Sequence, residues 1–502
     1  VIELVPIDSV RPSTYNPRES DPRRLDLIEL SLRKLGFLLP IYADPDGEIL
    51  SGHQRHLVAS RMGCKRIPVS RVKPMSLEQR KALNIVFNRG TNDMSNSSTP
   101  QSLTEALEAV NLDALSRHLP DLAVDSEAFW RCMRPSVEPI APFLKANSGR
   151  WVEYASNISK TLRNKGVQMP IVATRDYRCV NGLGRLQMLA TQKASTVEVV
   201  WVSEDEARLS DAMLNLLSMD FDLHTRYRDT LRYNSFRRAR LQRKGLGRGF
   251  TFLLSENAKE FDMTTPANLA RWKKIYGNSV VDFGAGHLTE TKILRSVGVH
   301  VSAFEPYHLG AGSEIDKRAS VEIARAFLDD VRRNVQYTSV FIASVFNSVP
   351  FMEDRRKILA ICSALCAPST KLYSVTMHAD HASIRSARGG EYLAERSRSY
   401  IGFQLAYEPN ITLGDFQAAP KVQKYHQPSE FHALLSERFE SVKITKNSVN
   451  LNAVCARPKP VDLRALREAL VFEFDLPYPD GTRMGLVAEA LDAFGRRLGV
   501  EL

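Results

Sequence analysis

Asp282, Gly284, Gly286 and Glu305 are the residues whose types and spacing could build a chemical site. The apolar run Val280-Val281-Asp282-Phe283 predicts a buried strand entering a turn at Gly284-Ala285-Gly286, where missing side chains let a ligand approach the backbone. A helix from about Thr289, closed by Gly298, follows. A second strand, Val299 to Phe304, then carries the Glu305 carboxylate to the carboxyl edge of the same sheet, the edge at which open α/β sheets bind ligands. A carboxylate placed there can accept both hydroxyls of a ribose, so the pattern fits a cofactor that contains a nucleoside.

The segment resembles class I S-adenosylmethionine-dependent methyltransferases. Their first motif, an acidic residue followed by x-Gly-x-Gly, is matched by Asp282, Gly284 and Gly286, and the acidic end of their second strand by Glu305, nineteen residues after Gly286. Rossmann dehydrogenases need a third glycine where this chain has Thr289, which disfavours NAD. Downstream order agrees: a strand Ser339 to Val345, a helix from about Glu353 to Cys366, a strand Lys371 to Met377, and segments Ser441 to Thr445 and Leu451 to Ala456 that read as the family's closing antiparallel hairpin. The resemblance spans roughly residues 250 to 457. It implies a Rossmann-like α/β fold with S-adenosylmethionine held by Asp282, Phe283, Gly284, Ala285, Gly286 and Glu305. The bland alternative is an α/β domain whose cofactor site is dead or absent.

Enzymes that methylate exocyclic amino groups of DNA bases carry Asn, Asp or Ser, then two prolines and an aromatic, after the fourth strand. Here Asn347-Ser348-Val349-Pro350-Phe351 keeps the polar start and the aromatic end without the double proline. The resemblance makes Asn347, Pro350 and Phe351 the candidate catalytic residues, with Asn347 orienting the acceptor and Phe351 stacking on a flipped base. His378 and His381, with Asp380 between, could supply a base or a metal ligand on the same edge, but read more simply as a solvated loop. No metal site is indicated.

The N-terminal region has its own order: Asn16-Pro17-Arg18, a helix around Leu25 to Leu35, Gly36-x3-Pro40-Ile41, Gly52-His53-Gln54-Arg55 with Ala59, and Ile67-Pro68-Val69. This resembles the N-terminal domain of the ParB and sulfiredoxin superfamily. Gly52 opens a helix whose amides, with Arg55, suit a phosphate, so Arg18, Gly52, His53, Gln54 and Arg55 are the candidate nucleotide or phosphate site. Partition proteins usually carry Glu and Arg where this chain has His53 and Gln54, and sulfiredoxins need a cysteine there. CTP-driven clamping and peroxiredoxin repair are therefore disfavoured, while use of CTP or ATP at this unit stays open beside simple binding.

A shift of 130 residues superposes Gly36-x3-Pro40-Ile41 on Gly166-x3-Pro170-Ile171 and Gly52 to Arg55 on Gly182-Leu183-Gly184-Arg185. The reading is two α+β ParB-like units at 1–95 and 141–222, joined by a helical connector at 96–140. A basic linker at 223–250, the methyltransferase-like domain at 251–457 and a helical appendage at 458–502 follow. Nine basic residues against Asp229 give the stretch from His224 to Arg248 a charge of +8, out of +11 for the whole chain. Tyr227, Tyr233 and Phe236 are interleaved, so Arg237, Arg238, Arg240, Arg243 and Lys244 read as a nucleic-acid surface, or more blandly as an exposed linker helix. Gly245-x-Gly247-x-Gly249 reads as a hinge.

With 502 residues and 43% hydrophobic composition the chain can fill about three cores. No apolar run could cross a bilayer, and six scattered cysteines suggest neither disulfides nor zinc, which fits a cytoplasmic protein of a bacterium or a phage-infected cell. The expected function is methylation of nucleic acid, DNA foremost, by the C-terminal domain while the ParB-like units and arginines hold the polymer. The rivals are a scaffold that binds DNA or nucleotide without turnover and an enzyme acting on a nucleotide or small metabolite. Oligomeric state is not readable.

Overall fold

A computed structural model describes residues 2–13, 22–75, 80, 83–84, 87, 111–150, 166–167, 169–217, 244–254, 260–310, 314–380, 403–404, 410–414 and 421–502. The chain divides into two units, Val1–Thr230 with Ser386–Pro420, and Leu231–Arg385 with Lys421–Leu502. Among the described residues no helix is long and apolar enough to cross a membrane.

The first unit contains the same small sheet twice. Its first copy comprises β1 (Ile2–Pro6), β2 (Arg11–Pro12), α1 (Pro22–Leu35), β3 (Ile41–Ala43), β4 (Glu48–Ser51), α2 (His53–Arg61) and β5 (Arg66–Arg71), with strand order β1-β5-β3-β4-β2. The second comprises β6 (Ser136–Pro139), β7 (Ile171–Ala173), β8 (Cys179–Asn181), α3 (Leu183–Thr191), β9 (Thr196–Trp201) and α4 (Glu204–Asp211), in the order β6-β9-β7-β8.

The two sheets agree in detail. Ile41 pairs with Val69 as Ile171 pairs with Val199, and a bulge falls at Tyr42/Ala43 as it does at Val172/Ala173. The β3–β4 turn needs a left-handed residue, supplied by Gly47 at φ +86° in one copy and by Tyr177 at +66° in the other. Sheet periodicity places Ile171 and Ala173 in the second copy's own core, while Val172, Val180 and Val200 join a core shared with Leu35, Phe37 and Ile49 of the first. The second sheet begins at Ser136, ahead of the boundary at 141 read from sequence, because Ser-Val-Glu-Pro carries no buried alternation to announce a strand.

In the second unit, α5 (Pro266–Tyr276) leads into β10 (Ser279–Phe283), α6 (Thr289–Ser296), β11 (His300–Phe304), α7 (Lys317–Arg332), β12 (Ser339–Ala343), α8 (Met352–Ala364) and β13 (Lys371–Met377). The short strands β14 (Phe403–Gln404) and β15 (Ile411–Gly414) pair with each other and belong by contacts to the first unit. The second unit resumes with β16 (Lys421–Lys424), α9 (Pro428–Ser436), β17 (Phe439–Lys446), β18 (Asn450–Pro458), α10 (Leu463–Glu473) and α11 (Val487–Leu498).

Its main sheet runs β11-β10-β12-β13-β18-β17, four parallel strands completed by the antiparallel hairpin β17–β18. The chain moves outward from β10 to β11 and then crosses to β12 on the other side. The strand order therefore reverses at β10, and the carboxyl end of a strand at such a reversal is where open α/β sheets bind ligands. Both sheet faces are covered: Val281 and Ile342 pack on one side with Phe327, Ile358 and Leu470, and Val280 and Phe341 on the other with Trp272 and Leu294. The terminal helices α10 and α11 are part of the first of these cores.

The glycines read as a hinge are instead packing sites. A methyl group at Gly245 would overlap the Phe261 carbonyl, and one at Gly249 would lie 2.9 Å from Ala343 Cβ. Leu246 between them is fully buried and bridges to Phe261.

Candidate functional site

At the end of β10 the backbone must turn sharply, and Gly284 (φ +80°) and Gly286 (φ +55°) supply the left-handed conformations. The amides of Gly284 and Ala285 both donate to the Phe304 carbonyl, at 2.8 and 3.0 Å, tying the turn to β11. A methyl group on Gly284 would overlap Val345, so the loop after β12 closes against this glycine.

Glu305, 5% exposed, meets the turn directly. Its Oε2 accepts from the Gly286 amide at 2.7 Å and its Oε1 from the Tyr307 amide at 2.9 Å. His308 Nδ1 donates to the Gly286 carbonyl at 2.9 Å. The turn and the acidic strand end, read separately from sequence, thus form one cradle.

Asp282 lies behind it, buried, with its Oδ2 accepting from the Thr291 hydroxyl at 2.6 Å and so holding α6 to β10. Burial pushes its carboxyl up to about 7; the Thr291 hydroxyl opposes the shift, while the charges of Glu290 and Glu305 add to it. Phe283 faces the core against Phe304.

Beyond β12, Asn347 is 1% exposed. Its Nδ2 donates to Gln423 Oε1 at 2.9 Å and its carbonyl accepts from the Lys424 amide at 2.8 Å. The Asn347 Oδ1 and Gln423 Nε2 atoms are buried without hydrogen-bond partners among the described residues. The buried Arg355 donates to the carbonyls of Val349 and Pro350 at 2.9 and 3.0 Å, fixing the loop that begins α8. Phe351, the candidate stacking ring, is buried too.

The segment after β16 lies along the end of β13: the His426 amide donates to the Met377 carbonyl at 2.9 Å, and Ala379 donates back to the His426 carbonyl at 2.9 Å. His426 Nδ1 shares a 2.9 Å hydrogen bond with Thr376 Oγ1, and its Nε2 is buried without a partner among the described residues. Burial, then the charges of Arg355 and Lys424, hold its pKa well below the ordinary 6.5. Lys424, fully buried, pairs with Glu430 at 2.6 Å. His378, expected in a solvated loop, is buried beside His426, whereas Asp380 is exposed and pairs with Lys446. His381 lies outside the described residues.

In the first unit, Gly52 (φ +99°) and Gly182 (φ +109°) are the left-handed caps of α2 and α3. Each arginine three residues on folds back over its glycine. Arg55 Nη1 donates to the Leu39 carbonyl at 2.6 Å, and Arg185 Nη1 approaches Met169 Sδ at 3.3 Å while its Nη2 donates to Asn181 Oδ1 at 2.7 Å. A methyl group at Gly182 would lie 2.5 Å from that Nη2, so the glycine makes room for the guanidinium. His53 is buried with Nε2 3.0 Å from Ser13 Oγ, and Gln54 is buried beside it. Arg18 and the arginines 237, 238, 240 and 243 lie outside the described residues. Lys244 is exposed, and its amide donates to Glu260. Among the described residues no three His, Cys, Asp or Glu side chains group as a metal site.

Sequence reasoning missed Thr291, Arg355, Gln423 and His426. An Asp-x8-Thr spacing across the turn could have suggested Thr291. Nothing local points from Gln423-Lys424-Tyr425-His426 to Asn347, seventy-six residues earlier for Gln423.

No family profile matches the chain. The nucleoid occlusion proteins of Bacillus cereus strains B4264 and G9842 are each 33% identical to it over 72 residues, 13% of this chain. The chain spans about a quarter of the length of these curated relatives, 25% in each case. Two solved structures align at low scores. The PH0226 protein of Pyrococcus horikoshii has a TM-score of 0.25 and 15% identity, covering 39% of this chain and 89% of that one. A Pnob8-like ParB-N domain has a TM-score of 0.17 and 12% identity, covering 46% and 68%.

Proposed function

We propose that the unit formed by Leu231–Arg385 and Lys421–Leu502 is a class I S-adenosylmethionine-dependent methyltransferase domain, and that the chain methylates nucleic acid, with DNA as the polymer. The observation that carries this reading is the 2.7 Å bond from the Gly286 amide to Glu305, which sets a carboxylate beside a glycine turn at the point of strand reversal. The closing antiparallel hairpin agrees with what the resemblance implied.

The residues present fit the cofactor. Glu305 would accept from its ribose hydroxyls, the Gly284-Ala285-Gly286 backbone would lie against it, and Asp282 would stiffen the turn through Thr291. When bound, the cofactor supplies a methyl group on a positively charged sulfur. The chain's own task is then to orient an acceptor and exclude water. Asn347, whose buried Oδ1 has no hydrogen-bond donor among the described residues, would receive the acceptor's N–H.

DNA is favoured as substrate by the +8 arginine stretch and by the nucleoid that names the partial relatives. Gly52, His53, Gln54 and Arg55 of the first ParB-like copy, with Arg18, are the corresponding nucleotide or phosphate candidates, with CTP and ATP as the ligands to try. The near-complete burial of Asn347 favours a second reading, a DNA- or nucleotide-binding scaffold that holds cofactor without turnover.

Incubation of the full chain with labelled methyl donor and duplex DNA, single strands, RNA or free nucleotides separates these readings. Mass spectrometry of digested nucleosides then locates the label. The proposal expects label in DNA; bound cofactor with no label in any acceptor favours the scaffold, and label confined to free nucleotides favours the small-molecule enzyme.

A further inference from the structure

Buried polar atoms in native proteins nearly always have partners, so an orphan beside a ligand-binding sheet edge is a place where a ligand or water can complete the bonding. Among the described residues, Asn347 Oδ1, Gln423 Nε2 and His426 Nε2 are such atoms, near the carboxyl ends of β12 and β13. The segment 423–426 is pinned on both sides, by the Lys424 amide to Asn347 and by the His426 backbone to β13, so these side chains are held on a fixed frame.

Asn347 and Gln423 are coupled, because two primary amides that share a single hydrogen bond leave one acceptor on one partner and one donor on the other. Exchanging oxygen and nitrogen in both amides preserves this outcome. The pair therefore calls for a planar ligand edge bearing one donor beside one acceptor.

Resting on the acceptor reading given above, we infer that Gln423 is the specificity-determining partner of Asn347, and that together they grip a nucleobase by an exocyclic amino group and its neighbouring ring nitrogen. Adenine and cytosine present that edge. The amino N–H donates to Asn347 Oδ1 and the ring nitrogen accepts from Gln423 Nε2. In the transfer, the amino nitrogen's electron pair forms the new N–CH3 bond as the carbon–sulfur bond of the sulfonium donor breaks. The bonding pair stays on sulfur, giving a neutral thioether, and the amino group releases one proton to solvent.

The test uses the full chain and two readouts. Equilibrium binding of adenosine, cytidine, 1-deazaadenosine, 7-deazaadenosine and 3-deazacytidine is measured by NMR without cofactor, and methyl transfer to oligonucleotides carrying the same bases is measured with it. The favoured base should lose about tenfold to a hundredfold in affinity and in kcat/KM when its ring nitrogen becomes C–H, since the buried Gln423 donor is then stranded. Gln423→Ala should abolish that discrimination while S-adenosylmethionine affinity is unchanged. Gln423→Leu provides a packed second variant, and the wild-type deaza comparison needs no variant at all. Equal treatment of natural and deaza bases by the wild type, or label on a ring carbon or a ribose, overturns the inference and leaves the methyltransferase reading standing. Absence of transfer to every base at saturating cofactor removes the acceptor reading and this inference with it.

Discussion

Asp282→Asn should make the second unit more stable, and the gain should grow with pH. The aspartate is 3% exposed and its pKa is raised from 3.8 to about 7, chiefly by burial. A raised folded-state pKa means that the group's contribution is fully present below pH 3.8 and is lost as pH rises through 7, because the folded chain holds a proton that the unfolded chain has released. A shift from 3.8 to about 7 corresponds to about 4 kcal/mol when fully expressed, and about 2–3 kcal/mol of it falls between pH 5 and pH 8. Asparagine keeps an oxygen for the Thr291 hydroxyl and removes the charge.

The assay is hydrogen exchange of β10 and β12 amides, read by mass spectrometry and corrected for intrinsic rates, which isolates this sheet from the other unit. The variant's opening free energy should rise above that of the wild type by about 2–3 kcal/mol more at pH 8 than at pH 5. Parallel profiles for the two proteins would refute the claim that the carboxyl is destabilised by its surroundings.

Other outcomes follow from the same geometry. Gly284→Ala should destabilise the second unit by about 2 kcal/mol or more, from the left-handed backbone and the overlap with Val345; Val345→Ala should recover only the steric part in a double-mutant cycle. His426, whose folded pKa is depressed, contributes stability that is present above pH 6.5 and declines as pH falls below it; His426→Gln should flatten that decline in acid unfolding curves, and an unchanged slope counts against a buried neutral ring. Neutralising Arg237, Arg238, Arg240 and Arg243 together should reduce the slope of log affinity for duplex DNA against log salt by about 3 to 4, as measured by fluorescence anisotropy; an unaltered slope assigns DNA binding elsewhere.

The elements that announced themselves in sequence are those whose pattern is local. Val280 to Phe283, the glycine turn and the strand ending at Glu305 could be read because apolar runs, positive-φ positions and a strand-end carboxylate all fall within about one β-α-β length. The duplicated sheet could be read because its shift of 130 recurs at glycine, proline and arginine positions that the backbone itself demands, down to the matching bulge.

What escaped was set by long-range packing. Ser136–Pro139 is a strand only because β9 offers it an edge. Gly245 and Gly249 are small because Phe261 and Ala343 crowd them, which has the same sequence signature as a hinge. Phe351 precedes α8 as a buried ring, and its burial depends on packing that the local sequence does not encode. Gln423 and His426 become interesting only when β16 and its successor residues lie between Asn347 and β13, a juxtaposition no local spacing encodes.

The central claim is tested most directly by calorimetric titration of S-adenosylmethionine into the full chain and into Glu305→Gln. The account predicts saturable binding at one site, weakened about tenfold or more when the carboxylate that meets the Gly286 amide loses its charge. No saturable binding, or equal affinity in the two proteins, would contradict it.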